Sequence, residues 1–373
     1  MRNVFLSLLL VGGVVFGTGG TAKAAPFTAG NLVVLRVGTE GGSLVNTGNE
    51  FALREYQTNG TFANNTVVIP STGATGLQVS GTATSEGALS VSADGNLLSF
   101  TGYNPGVSGF SGSGSLPSRT ATEAPRGFGY VNSAGTYTFG GVYSGSFSNN
   151  NIRTVVSDNG TNFWAGGGNS GTLVNPASPT AVQTTVPNTR VINSFDGNLL
   201  FSTASNNVQG IWTLSGQPTT SGNVPTQLIS TGAGSSPYDF ELSPGPIAAG
   251  SFMYVADDRA LASGGGVQRW NFDGSSWSLA YTFGGNGVTG LAVDFSTGNP
   301  TLFATNGSSL LTATDFGSGT SLSVIATAEA GTAFRGVAFA PTGGAPIPEP
   351  ATVALLGLAV VAGGLMLRRR VAA

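Results

Sequence analysis

The sequence predicts an all-β fold, a β-propeller of six blades, and three observations carry that prediction. The first is composition: 59 Gly and 18 Pro against 8% charged residues make a chain rich in turn formers and poor in helix formers. Its 40% hydrophobic content still suffices to fill a core. The second is an internal repeat, in which an alternating apolar stretch runs into a polar turn and a second apolar stretch. It reads Leu89-Ser90-Val91-Ser92-Ala93-Asp94-Gly95-Asn96 and again Val191-Ile192-Asn193-Ser194-Phe195-Asp196-Gly197-Asn198. Weaker copies end at Gly160, Gly245, Gly298 and Gly343, so the turn glycines stand 65, 37, 48, 53 and 45 residues apart. The third is that four short strands fit each interval, as a propeller blade requires.

In chain order, strands are expected over residues 32–37, 51–56 and 66–69, with no fourth partner nearby. The long interval after Gly95 is assigned to a Gly/Ser/Pro-rich surface loop at residues 104–126. Then come 199–203, 210–214 and 225–230; 252–256, 267–272 and 277–283; and 301–305, 310–313 and 322–326. The last copy, residues 334–340, has nothing after it to pair with and joins the three orphan strands, closing the ring without a long free edge. Seven blades is the alternative if residues 127–160 hide a further unit. A β-sandwich or β-solenoid is the alternative fold.

The two ends differ from the body. Arg2, the apolar run 4–16 and Ala22-Lys23-Ala24 match the basic, apolar and small-residue regions of a signal peptide, so a signal helix within residues 1–24 and cleavage after Ala24 are expected. An N-terminal membrane anchor is the other reading, but the run is short and broken by Gly12 and Gly13. At the other end Pro346-Ile347-Pro348-Glu349-Pro350 precedes 17 apolar or small residues, 351–367. As a transmembrane helix these span about 25 Å at a rise of about 1.5 Å per residue. Arg368, Arg369 and Arg370 then hold the C-terminus in the cytoplasm, which places residues 25–345 outside the inner membrane.

Pro348-Glu349-Pro350, the apolar helix and the arginine cluster together resemble the PEP-CTERM sorting domain of Gram-negative bacteria, over about the last 28 residues. The resemblance implies that Pro348, Glu349 and Pro350 are recognised by an exosortase, a membrane-embedded transpeptidase, while the helix and arginines act as a transient stop-transfer signal. It further implies an inner-membrane-anchored precursor, later at the cell surface or in an extracellular matrix, associated with exopolysaccharide and biofilm. An ordinary C-terminal anchor is the alternative. The domains expected are 1–24 signal peptide, 25–345 propeller and 346–373 sorting signal.

Absent residue types exclude much chemistry from the body. There is no Cys, hence no disulfide or thiolate site, and no His, the commonest general base and zinc ligand. The single lysine, Lys23, falls in the signal peptide, so no amine nucleophile remains. Setting aside Arg2, Lys23, Arg368, Arg369, Arg370 and Glu349 leaves 9 basic against 16 acidic residues, a net −7. Scattered arginines on an acidic body argue against a nucleic-acid partner.

Candidate chemistry therefore rests on carboxylates. Asp94, Asp196, Asp273 and Asp158-Asn159-Gly160 are expected to be turn residues, bonding their own backbone. The 157–164 stretch resembles the Asp-box of sialidases only faintly, since its spacing departs from that pattern. Asp257-Asp258 is the one place considered for Ca²⁺; a solvated turn is the competing reading, and no cofactor or metal ligand set is otherwise expected. Asn193, Asp239, Glu241 and Asp294 interrupt inner strands, and Asn193, Glu241 and Asp294 each stand four residues before a turn glycine. Such aligned positions converge at a channel mouth, where they would hold a cation or a sugar, act as a glycosidase pair, or simply face water. Tyr103, Tyr130, Tyr143, Trp164, Trp212, Trp270 and Trp277 are expected as packing between blades rather than sugar platforms. The resulting expectation is a noncatalytic surface propeller that binds polysaccharide or protein. The alternatives are a secreted carboxylate-based glycoside hydrolase or lyase-like enzyme, and a glycosylated matrix protein.

Overall fold

The computed structural model describes residues 24–343; the expected signal helix, the cleavage residue Ala22, and the tail with Pro348, Glu349, Pro350, its helix and Arg368, Arg369 and Arg370 lie outside the described residues. The chain begins with β1 (Leu32–Val37), β2 (Phe51–Tyr56) and β3 (Phe62–Val68). A second blade is formed by β4 (Ser90–Val91), β5 (Leu97–Tyr103), β6 (Arg126–Asn132) and β7 (Tyr137–Val142). A third follows from β8 (Ile152–Ser157), β9 (Phe163–Gly167), β10 (Thr172–Val174) and β11 (Thr180–Gln183). β12 (Thr189–Phe195), β13 (Asn198–Thr203), β14 (Gly210–Leu214) and β15 (Thr226–Ser230) make the fourth. β16 (Pro237–Leu242), β17 (Phe252–Asp257), β18 (Gly266–Phe272) and β19 (Trp277–Phe283) make the fifth, and β20 (Gly290–Asp294), β21 (Thr301–Thr305), β22 (Ser309–Thr314) and β23 (Ser323–Thr327) the sixth. Finally β24 (Ala333–Phe339) pairs antiparallel with β1, from Val37↔Ala333 to Leu32↔Phe339, and completes the first blade.

The body is a six-bladed β-propeller. Six four-stranded antiparallel sheets stand around an axis lined by β24, β4, β8, β12, β16 and β20, and both ends of the body share one sheet, which removes the exposed edge an open ring would leave. Burial falls from axis to rim. All six residues of β8 are buried, whereas the outer strands β15 and β23 are mostly exposed or half-buried. The core accordingly lies between facing blades: Val156, Trp164 and Val174 of blade 3 pack with Ile192, Leu199 and Phe201 of blade 4. Burying each such side chain contributes roughly 1.5–3 kcal/mol.

Hairpin chemistry sets the registers. In the β12–β13 loop Phe195 pairs with Asn198 across only Asp196 and Gly197, whose φ values are +47° and +71°. Two consecutive positive φ values define the type I′ turn whose twist matches the strands, and Asp-Gly is its favoured pair. Asp158 holds the β8–β9 turn, accepting the N–H groups of Asn159, Thr161 and Asn162 at 2.6–3.1 Å, and Asp273 accepts those of Ser275 and Ser276 at 2.7 and 2.8 Å. The expected turn aspartates are turns.

Three expectations require correction. Residues 127–160 hold no extra unit: β6 and β7 complete blade 2 and β8 opens blade 3, so seven blades are ruled out. The third strand starts at Phe62 rather than residue 66 because its polar residues pair inward, Asn65 donating to Glu55 Oε2 at 2.7 Å. The insertion at 104–126 is an exposed loop over most of residues 106–114, as expected, but its second half packs down as a cap. Leu116 and Ala124 within it are fully buried, and its carbonyls wrap the guanidinium of Arg126. Arg126 donates to the carbonyls of Thr120, Ala124, Arg119 and Pro117 at 2.7–3.2 Å and reaches Asn150 O at 2.8 Å. The aromatic expectation of packing between blades is met for Tyr143 and Trp164, both fully buried; Tyr130, Trp212 and Trp277 pack against inter-blade clusters and Trp270 is buried in one, whereas the fully buried Tyr103 packs against Leu116 and Ala124 of the cap on its own blade.

Candidate functional site

Among the described residues, three concavities stand out. Two lie on the axis, separated where Ser90 Oγ of blade 2 donates to Ile192 O of blade 4 at 2.9 Å, so the axis is filled at mid-height.

The first is at the end where inner strands run into their turns. Asn193, Glu241, Leu89, Val91, Phe195 and Val337 line a cavity of about 210 Å³. Asp239 stands behind this wall, 2% exposed, with every oxygen engaged: Oδ1 accepts Asn193 Nδ2 at 3.2 Å and Phe240 N–H at 3.0 Å, and Oδ2 accepts Leu291 N–H at 3.0 Å. Burial pushes its carboxyl up to about 7, against the pull of those three donors. Glu241, half-buried and facing the cavity, is held well above the usual carboxylate range by burial and by the charge of Asp239. Of the four residues singled out in the sequence, three thus come together. Asp294 does not join them: it ends β20 in a turn, its Oδ1 accepting Ser296 N–H at 2.8 Å.

The second axial concavity lies at the opposite end, where inner strands begin. Glu86, Arg190, Tyr238 and Arg335 surround a throat of about 10 Å³, and Arg335 also lines an outer concavity of about 170 Å³ with Thr84, Asp258, Thr289 and Asn306. Glu86 is buried and saturated, accepting Ser80 N–H at 2.8 Å, Tyr103 OH at 2.8 Å and Asn151 Nδ2 at 2.6 Å. Sequence reasoning missed this end. Its signal was the same alignment read further back, since Arg153, Arg190 and Tyr238 each stand seven residues before a turn glycine.

The third concavity, about 600 Å³ and larger than the two on the axis, is a groove between blades 5 and 6 on the turn side. Phe252 and Phe295 form its apolar floor, ring centroids 6.0 Å apart. Arg269 lies over the Phe252 ring at 4.1 Å and pairs with Asp315, which also accepts Tyr281 OH at 2.7 Å and the Tyr254 hydroxyl. Ser251, Thr297 and Asn299 line the rim, where the Ser251 hydroxyl accepts Ala248 N–H at 3.0 Å and the Thr297 hydroxyl donates to Asn299 O at 2.6 Å. Burial raises Tyr281 to about 12, with the bond to Asp315 adding to it, so the network stays charge-ordered at neutral pH.

The Asp257-Asp258 pair does not present a joint carboxylate surface. Asp257 is fully buried in a bidentate pair with Arg259, Nε–Oδ1 2.8 Å and Nη2–Oδ2 2.9 Å, and Asp258 faces the outer axial concavity instead. Among the described residues no group of three or more His, Cys, Asp or Glu is placed to hold a metal ion.

Residues 346–370 match the family model described as the PEP-CTERM protein-sorting motif. The tail is a sorting signal. It indicates an exported protein sorted to the cell surface and implies an exosortase-type processing enzyme. No curated protein matches the chain. Among solved structures the propeller is similar to a chain of a nidogen/laminin complex, at 11% identity and TM-score 0.48, covering 84% of this chain and 99% of that one. It is also similar to a protein from Lactobacillus plantarum, at 13% identity and TM-score 0.45 over 84% and 86% of the two chains. A third is a gluconolactonase from Xanthomonas campestris, at 9% identity and TM-score 0.40 over 78% and 83%. These likenesses carry no ligand or activity over to this chain.

Proposed function

We propose that the PEP-CTERM tail delivers a noncatalytic propeller to the envelope or extracellular matrix of a Gram-negative cell, anchored in the inner membrane as a precursor, and that the propeller binds polysaccharide there. The observation that carries the binding reading is the groove between blades 5 and 6. Two phenylalanine faces suit the C–H faces of sugar rings, and the Arg269 guanidinium, held in place by the saturated Asp315, with the side chains of Ser251, Thr297 and Asn299 suits their hydroxyls. Against catalysis stands the state of the axial carboxylates. Carboxylate hydrolysis of a glycoside needs two carboxyl groups facing one substrate. Here Glu241 faces the cavity, but Asp239 is closed off by its three donors.

Two measurements test the proposal. Secreted protein is run through gels cast with neutral polysaccharides: retardation that disappears in Phe252→Ala supports the groove, and equal mobility in every gel removes it. The full chain and a version ending at Ala345 are expressed with and without the cell's exosortase and then fractionated. Identical distribution of both versions sinks the sorting reading.

A further inference from the structure

Nine arginines belong to the body, and three of them begin inner strands around one mouth of the axis. Arg153 is 7% and Arg335 5% exposed, and the half-buried Arg190 lines the throat together with Arg335 and Tyr238. Each is tied down by neutral groups alone. Arg153 donates to Asn188 Oδ1 at 2.6 Å and Thr189 O at 3.1 Å, Arg190 to Tyr238 OH at 3.2 Å, and Arg335 to Gly81 O at 3.0 Å. Among the described residues the ion pairs are Arg54–Glu329, Arg259–Asp257 and Arg269–Asp315, so none of these three takes part in one. Their Nε–H groups are all buried without a partner.

A buried guanidinium without a carboxylate beside it is costly, because neutral acceptors replace only part of the water it loses. At Arg153 the charge of Arg190 adds to this, and burial with that charge pushes Arg153 down to about 10. The nearby acid Glu86 does not relieve this fully: its oxygens are already taken by Ser80, Tyr103 and Asn151, and burial raises its carboxyl. Asp258 lies further out, on the rim.

We propose that this mouth binds the carboxylate of an acidic sugar, one oxygen entering the throat between Arg190 and Arg335 and the ring resting in the outer concavity. The throat of about 10 Å³ has room for one water-sized group, which is the size of a carboxylate oxygen. The concavity of about 170 Å³ beyond it offers the hydroxyls of Thr84 and Thr289 and the amide of Asn306 to sugar hydroxyls. Guanidinium donors in a fixed fork are the side chains best matched to a carboxylate. The oxyanion part of the assignment rests on the arginines alone; the sugar part rests on the polysaccharide reading above.

The test is calorimetric titration of the secreted protein with sodium glucuronate, glucose and sodium sulfate at constant ionic strength. Glucuronate is expected to bind, with Arg190→Gln weakening it about tenfold or more, the loss of one charged hydrogen bond. Asp258→Asn, which removes the rim acid, is expected to tighten it. Glucose is expected to show no binding at this mouth. Absence of glucuronate binding, or binding unchanged in both variants, overturns the site. Sulfate binding as tightly as glucuronate overturns the sugar assignment. Neutral-polysaccharide retardation in Arg190→Gln reads the groove separately, so failure of one site is distinguishable from failure of the other.

Discussion

The carboxylate of Asp239 in blade 5 accepts the main-chain N–H of Leu291 in blade 6 at 3.0 Å, while its other oxygen accepts Asn193 of blade 4. One buried side chain thus bridges three inner strands, and its charge state is coupled to ring stability. A carboxyl whose folded value, about 7, lies above its unfolded value of 3.8 holds its proton more tightly when folded. Its contribution is therefore full below the unfolded value and lost as pH rises through the folded one. Stability should fall between about pH 4 and 7 by an amount on the order of 4 kcal/mol at most. Urea midpoints measured from pH 4.5 to 8 check this. Asp239→Asn should flatten the slope, and a midpoint that climbs across the window in the native protein contradicts the assignment.

Arg126 organises the 104–125 cap by taking its carbonyls, and a lysine cannot reach them all. Arg126→Lys should cost about 1–3 kcal/mol and Arg126→Ala more, because several buried carbonyls lose their donor. Limited proteolysis should then cut within the Gly/Ser stretch around residues 106–114 while the blades resist; cutting elsewhere first counts against this role.

Propeller closure rests on the β24–β1 pairing. A chain ending at Ala345 should melt with the same midpoint as the secreted protein. One ending at Thr332 lacks β24, leaves β1 with an open inner edge, and should lose its cooperative transition. Circular dichroism melts separate the two outcomes.

Two glycines should respond differently to alanine. At Gly336 an added Cβ would stand 2.6 Å from Leu89 N and 2.7 Å from Gly87 O, both backbone, so the closing strand must move away from blade 2 and a loss of several kcal/mol is expected. At Gly197 the space is open and only the φ of +71° is strained, so about 1 kcal/mol is expected. Equal losses at the two positions would argue against the packing described for the axis.

The repeat was readable because glycine turns do a local job that leaves a local mark, and aligning Gly95, Gly160, Gly197, Gly245, Gly298 and Gly343 located the first hairpin of five blades and the strand that closes the ring. The cap around Arg126 left no such mark, since a Gly/Ser/Pro stretch looks like solvent-exposed loop until a distant guanidinium collects its carbonyls. The axial residues were half legible. Asn193 and Glu241 were found by their distance from the turn, whereas the arginines seven residues before it were passed over as scattered charges. The groove could not be read at all: Phe252, Arg269, Phe295 and Asp315 come from two blades and share no spacing.

Both ends of the body meet at one spot. Phe27 N–H donates to Ser133 O at 2.8 Å, Thr342 N–H donates to Gly95 O at 2.9 Å, and Gly343 lies against the Ser133 side chain. Gly95 and Ser133 sit in turns on the same side of blade 2 as the groove, and opposite the arginine mouth. Only residues 344–345 separate Gly343 from the motif, a reach of at most about 7 Å. A connection this short would keep the side carrying the groove closer to whatever holds the tail than the arginine mouth at the opposite end. Proteins set side by side in this way would form a layer with two chemically different surfaces, the phenylalanine-floored groove inward and the arginine-lined mouth outward.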